Sequence, residues 1–206
     1  MACIPEDGGR KSFSLDVENV VQKGITKGVQ QAASVAVVAY CGAKPRFQLV
    51  YFSFIRVTKV WRTSEAISGI NIQDLEDGEK PEKVREDLFR LLSGGRLVTH
   101  SGAGDLKALG ISTYDLSKHN IIHLDITKVF SDKKGPIGLE KIYRFLFPDA
   151  IIFDKKNSPR NGHNPEKDAR AIAKIYRTWS KMDGEKKERI KERLWQNIET
   201  KTIMDF

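Results

Sequence analysis

Residues 12–20, SFSLDVENV, decide how this chain is read. Apolar and polar side chains alternate along them, the two-residue period of a β-strand. Two further runs rich in Val, Tyr and Phe follow, AASVAVVAYC at 32–41 and FQLVYFSFIRV at 47–57, with Gly42 to Arg46 and its Pro45 as the turn between them. Three strands joined by short connections predict an antiparallel meander. From Pro81 the period changes: Val84, Leu88, Leu91 and Leu92 fall at helical spacing, and Gly94–Gly95 closes that helix. Residues 96–100 then read as a short strand that feeds a helix from near Gly104 to before Gly110. A buried strand is expected over 121–124 and an amphipathic helix over 138–147, stopped by Pro148. The helix over 165–179 has Asn164 as its cap and Pro165 at its first position. The expected fold class is α/β: a mixed five-stranded sheet, three antiparallel strands then two parallel, flanked by helices.

A chain of 206 residues suits one domain of ordinary size. The expected division is a flexible polar leader at 1–11, one domain at 12–180, and a charged helical extension at 181–206. In that extension Ile190, Leu194 and Ile198 recur every fourth residue, a stripe that suits packing on the domain or on a protein partner. The 35 basic against 27 acidic residues leave a formal charge of +8, which favours a polyanionic partner without selecting one. The two cysteines, Cys3 and Cys41, exclude a disulfide framework and a cysteine-rich zinc site and suit a reducing compartment. With no long apolar run and no signal-peptide pattern, the expectation is a soluble intracellular protein without a membrane partner, nucleus and cytoplasm both open.

The chemistry-bearing residues lie far apart in the chain. Asp16 and Glu18 stand two apart on the first strand, so both side chains leave one face. Such a pair repels itself unless a cation binds, although the same spacing is common on solvated edge strands. Asp105 opens the helix after residues 97–99 in a stretch of small residues; an Asp there also complements the helix dipole. His163 lies just before the helix that carries Asp168, which suits a movable general base beside a fixed carboxylate. Together these are four carboxylates and one imidazole, a set that can balance two divalent cations about 3.5–4 Å apart. Other features carry plainer readings. His119 and His123 share a strand face without an acid or thiol to complete a zinc site, and Asp125 caps the next helix, with a supporting role at the metals as the alternative. Lys155, Lys156 and Arg160 lie in a polar loop directly before His163, either merely solvated or steering a phosphate backbone.

Three ordered stretches carry a family resemblance: FSLDVENV at 13–20, LVTHSGAGDLKAL at 97–109, and GHNPEKDARA at 162–171. They resemble the three motifs of the DEDDh 3′–5′ exonuclease superfamily, which has a ribonuclease H-like fold. The stretches WRT at 61–63 with SGI at 68–70, HLDIT at 123–127 and GLEK at 138–141 are similar to the RNA exonuclease group that includes the interferon-stimulated and ribosome-biogenesis exonucleases. The resemblance covers residues 12 to 180 and implies that Asp16, Glu18, Asp105 and Asp168 hold two divalent cations, Mg²⁺ or Mn²⁺, with His163 as the base. It further implies substrate contacts from Val17, Asn19, Arg62, Ser68, His100 and Leu106, joined by Lys155, Lys156 and Arg160. The chain departs from the family pattern at Asn19, where Met is common, at Val17, where Cys is common, and at Thr99 and Gly104. An Asn where the terminal nucleotide packs offers a hydrogen bond in place of an apolar shelf. The expected activity is metal-dependent 3′–5′ hydrolysis of single-stranded RNA, with single-stranded DNA as a second candidate. Two other readings stay open: an exonuclease-like module that binds RNA or protein with little catalysis, and a DNA-directed exonuclease.

Overall fold

The computed structural model describes residues 10–22, 29–41, 46–60, 70–132, 135–150 and 164–204. Strands β1 (Ser12–Gln22), β2 (Val29–Cys41) and β3 (Arg46–Phe54) form the expected meander. Strands β4 (Arg96–Thr99) and β5 (Ile122–Asp125) extend it on the other side of β1, each parallel to its neighbour. The order β3-β2-β1-β4-β5 puts β1 in the centre, and the α/β class with its mixed five-stranded sheet is the one expected.

Central placement makes both faces of β1 buried surface. Phe13, Leu15 and Val17 point to one side, where they pack with Val84, Leu88 and Leu92 of α2 (Pro81–Leu92) and with Leu106 and Leu109 around α3 (Ala103–Ala108). The even-numbered residues face the other side, covered by α6 (Pro165–Ser180). Here α6 presents Ala169 and Ala173, both without exposed surface, so its backbone comes close to the sheet, and the Ser14 hydroxyl donates to the Ala169 carbonyl at 2.7 Å. Arg170 adds a bond from α6 to the Phe47 carbonyl of β3. The docking of α6 thus fixes where its first turn lies relative to the second half of β1.

The structure differs from the sequence reading at several points. Two short helices, α1 (Ile72–Glu76) and α4 (Thr113–Lys118), lie where none was expected. Each is too short to show a helical period, although the Ser112–Asp115 capping box that opens α4 has a recognisable spacing. Strand β3 stops at Phe54 rather than 57; Ile55 still donates its N–H to the Ala33 carbonyl at 2.8 Å and turns to bridge Glu79. Ala33 is an extra residue in β2, so Glu18 faces Ser34 while Asn19 faces Ala32. His119 caps α4 and stacks on Phe89 with ring centroids 4.2 Å apart, outside β5, whereas His123 bonds to the Thr99 hydroxyl at 2.8 Å. The two imidazoles share no strand face and form no metal pair.

After α5 (Leu139–Leu146) and α6, the tail forms α7 (Gly184–Met204). Leu194 is 2% exposed in the cluster that holds Phe130, Ile142 and Trp179, and the Trp195 indole donates to the Ser131 carbonyl at 3.2 Å. Of this stripe, Leu194 and Ile190 pack on the domain. Among the described residues no helix is long and apolar enough to cross a membrane.

Candidate active site

Asp16 and Glu18 stand on the α6 face of β1, and the first turn of α6 brings Asp168 to them. Asn164 sets that turn: its side chain accepts from the backbone N–H of Glu166 at 2.9 Å and of Lys167 at 3.2 Å, and its carbonyl accepts from Asp168 at 3.0 Å. One ligand oxygen from each of Asp16, Glu18 and Asp168 lies within 4.8 Å of the others. Residues 150 positions apart in sequence therefore offer three carboxylates to one point.

The electrostatics of this cluster would suit a bound cation. Burial pushes the Asp16 carboxyl well above the usual carboxylate range, and the negative charges of Asp168, Asp105 and Glu18 push it further. Among the described residues, the charges that act on Asp16 are those of acids. Three converging hard oxygen donors fit Mg²⁺ or Mn²⁺ and lack the nitrogen or sulfur that zinc prefers.

Asp105 stands apart from the three. It lies in the first turn of α3, and burial raises its carboxyl from 3.8 to about 6, against a hydrogen bond from Asn19 that lowers it; Asp125 raises it further. The Asn19 amide N–H donates to this carboxylate, while the Asn19 carbonyl oxygen is buried without a partner among the described residues. Asn19 occurs where a nucleotide contact was expected, and the structure gives it a protein partner that sequence reasoning missed. The parity of β1 held the signal: Asn19 shares the side of Val17, toward α3.

Asp125 has the capping role expected of it and a second one. Its carboxylate accepts from Thr127 N–H at 3.0 Å and its hydroxyl at 2.7 Å, and also from the N–H groups of Ser101 at 3.0 Å and Gly102 at 2.9 Å. Burial alone raises this carboxyl, but the four bonds prevail and hold it below the usual range. They pin the turn that aims α3, in which Ser101 adopts a left-handed φ of 57°. Gly102 is required there: a Cβ would sit 2.2 Å from the Thr99 hydroxyl.

The other expected contacts are distributed as follows. Val17 and Leu106 are buried in the apolar cluster beneath α2 and α3. The His100 Nε2–H donates to the Ile137 carbonyl at 2.8 Å. His163, Arg62, Ser68, Lys155, Lys156 and Arg160 lie outside the described residues.

No protein-family model and no curated protein matches this sequence. Solved structures do match its fold. The chain is similar to the pseudoubiquitin hydrolase–RNA exonuclease module of Saccharomyces cerevisiae Pan2 in complex with A7 RNA, with a TM-score of 0.69 and 17% identity over 98% of this chain and 34% of that one. It is also similar to E. coli Exonuclease I in complex with a dT13 oligonucleotide, with a TM-score of 0.58 and 13% identity over 84% of this chain and 41% of that one. A third match is cell-death related nuclease 4, with a TM-score of 0.58 and 16% identity over 82% of this chain and 63% of that one. This chain spans only 34% of the Pan2 chain and 41% of the Exonuclease I chain. At these identities the likeness shows the fold, and it agrees with the ribonuclease H-like expectation.

Proposed function

We propose that this chain is a metal-dependent 3′–5′ exonuclease that hydrolyses single-stranded RNA, with single-stranded DNA as a second substrate. The observation that carries the proposal is the convergence of Asp16, Glu18 and Asp168 to within 4.8 Å, with Asp105 close enough to act on Asp16. The motif resemblance and the fold shared with an RNA exonuclease module and with Exonuclease I support it. Fold alone does not fix chemistry; the converging carboxylates are what favour this one.

Asp16, Glu18, Asp105 and Asp168 would hold two Mg²⁺ or Mn²⁺ ions, which neutralise charge on the phosphate and stabilise the departing oxygen. The carboxylates repel the terminal phosphodiester directly and would act on it only through those ions. His163 takes the proton of the attacking water on its imidazole nitrogen. A P–O bond forms to that water's oxygen, the bond to the 3′ oxygen breaks, that oxygen takes a proton from solvent to become the new 3′-hydroxyl, and a nucleoside 5′-monophosphate leaves the strand one residue shorter.

The test is cleavage of matched 5′-labelled RNA and DNA oligomers with Mn²⁺, Mg²⁺ or EDTA. A metal-dependent ladder shortening from the 3′ end is expected, lost in Asp105→Asn, Asp168→Asn and His163→Ala. Persistent cleavage in both aspartate variants would remove the assignment. If RNA binds and neither oligomer is cut, the chain is a binding module.

A further inference from the structure

On the α2 side of the sheet, a groove of about 650 Å³ runs between the ends of β2 and β3, the start of α2, and α3. Its lining carries three cations, Arg56, Arg85 and Lys107, beside the amide of Gln30, and among the described residues it includes no carboxylate. Arg56 and Lys107 are exposed, and among the described residues neither has a carboxylate partner. Arg56 donates its Nε–H to the Gly78 carbonyl at 3.2 Å, which fixes the arm and leaves the other guanidinium nitrogens free to bind. Arg85 is paired at 3.3 Å with Glu82, whose side chain is 68% exposed, so solvent screens much of that compensation. The groove also includes Gly104, the residue immediately before Asp105. A Cβ built at Gly104 meets nothing within 4 Å, so the groove is open at the residue next to Asp105 in sequence.

A concave surface whose described lining holds three cations and no anion concentrates positive potential. Its volume falls within the usual range of ligand pockets, roughly 300–1,000 Å³. The neighbouring acids repel a phosphate until cations occupy them, whereas this groove attracts one at all times. We infer that the groove holds the phosphodiester backbone of the nucleic-acid strand upstream of its 3′ end, with phosphates on Arg56, Arg85 and Lys107. This inference rests on the exonuclease reading for the polarity of the strand, and extends it by assigning a strand-binding surface to residues outside the motifs.

The test uses the full chain in EDTA with a fluorescent 12-nucleotide single-stranded RNA, titrated across 50–200 mM salt. The double variant Arg56→Glu/Lys107→Glu is compared with Lys186→Glu/Arg193→Glu on α7, which changes the net charge equally. Thermal melts confirm that both remain folded. Each lost phosphate contact on a single strand lowers the slope of log K against log salt by about 0.7. The groove variant should therefore bind at least roughly tenfold more weakly with a slope lower by about 1.4, and the α7 variant within about twofold of wild type. Equal weakening in both variants, or none in either, overturns the inference. The wild-type chain is assayed separately on the p-nitrophenyl ester of thymidine 5′-monophosphate with Mn²⁺. If the ester and the oligomers stay intact while RNA binding still depends on Arg56 and Lys107, the exonuclease reading falls and the groove stands.

Discussion

Replacing Asn19 by Leu, which keeps the branching and heavy-atom count of its side chain, isolates the hydrogen bond that holds Asp105. Burial has raised the Asp105 carboxyl from 3.8 to about 6 in spite of that bond. A hydrogen bond to a charged group contributes about 1.5–3 kcal/mol net. At about 1.36 kcal/mol per pH unit, its loss should move the Asp105 midpoint upward by about one to two pH units. The direct assay is a ¹³C-carboxyl NMR titration of the metal-free chain; the acid limb of Mn²⁺-dependent cleavage should move the same way. The same variant removes the buried, unpartnered Asn19 carbonyl, which relieves about 1–3 kcal/mol of desolvation. The two effects separate with pH. A carboxyl whose folded value lies above its unfolded value contributes stability that is fully present below 3.8 and lost as pH rises through about 6. At pH 5, where Asp105 is largely protonated, the relief should dominate and the variant should melt higher than wild type. At pH 8 the unpaired carboxylate should cancel or reverse that gain. An Asp105 midpoint that stays put or falls in the variant would refute the reasoning.

Three further outcomes rest on the carboxylates and on the turn before α3. Because Asp16 and Asp105 are both raised, protons compete with cations for them, so Mn²⁺ should raise the melting temperature more at pH 7.5 than at pH 5. At a hundredfold excess over Kd the gain is about 2.7 kcal/mol. An equal gain at both pH values, or an increase that EDTA does not reverse, would contradict a site built on these carboxylates. Gly102→Ala should cost about 1–3 kcal/mol in denaturant unfolding, because its Cβ meets Thr99 at 2.2 Å. Gly104→Ala, with open space around it and a helical position, should instead stabilise by about 0.5–1 kcal/mol; similar effects at both glycines would contradict the described turn.

What could be read from the sequence was local. Alternation at 12–20 set β1 and put Asp16 and Glu18 on one face, because the strand period is two whatever the surroundings. Asn164 and Pro165 marked the start of α6, because caps act on the backbone beside them. Asp125 was legible as a cap for the same reason. Short helices α1 and α4 escaped because five or six residues show no period.

Tertiary structure decided the rest. Asp168 reaches Asp16 only because small residues on α6 let the helix settle against Ser14. Asp105 is bonded to Asn19, outside the three-carboxylate group, because α3 packs over the odd-numbered face of β1. Leu194 chose the domain as the partner of α7, a choice its spacing left open. Arg56 and Lys107, 51 positions apart in sequence, line one groove because β3 and α3 end beside each other. A sequence records which side chains share a face; which faces meet is set by packing between elements that no local pattern encodes.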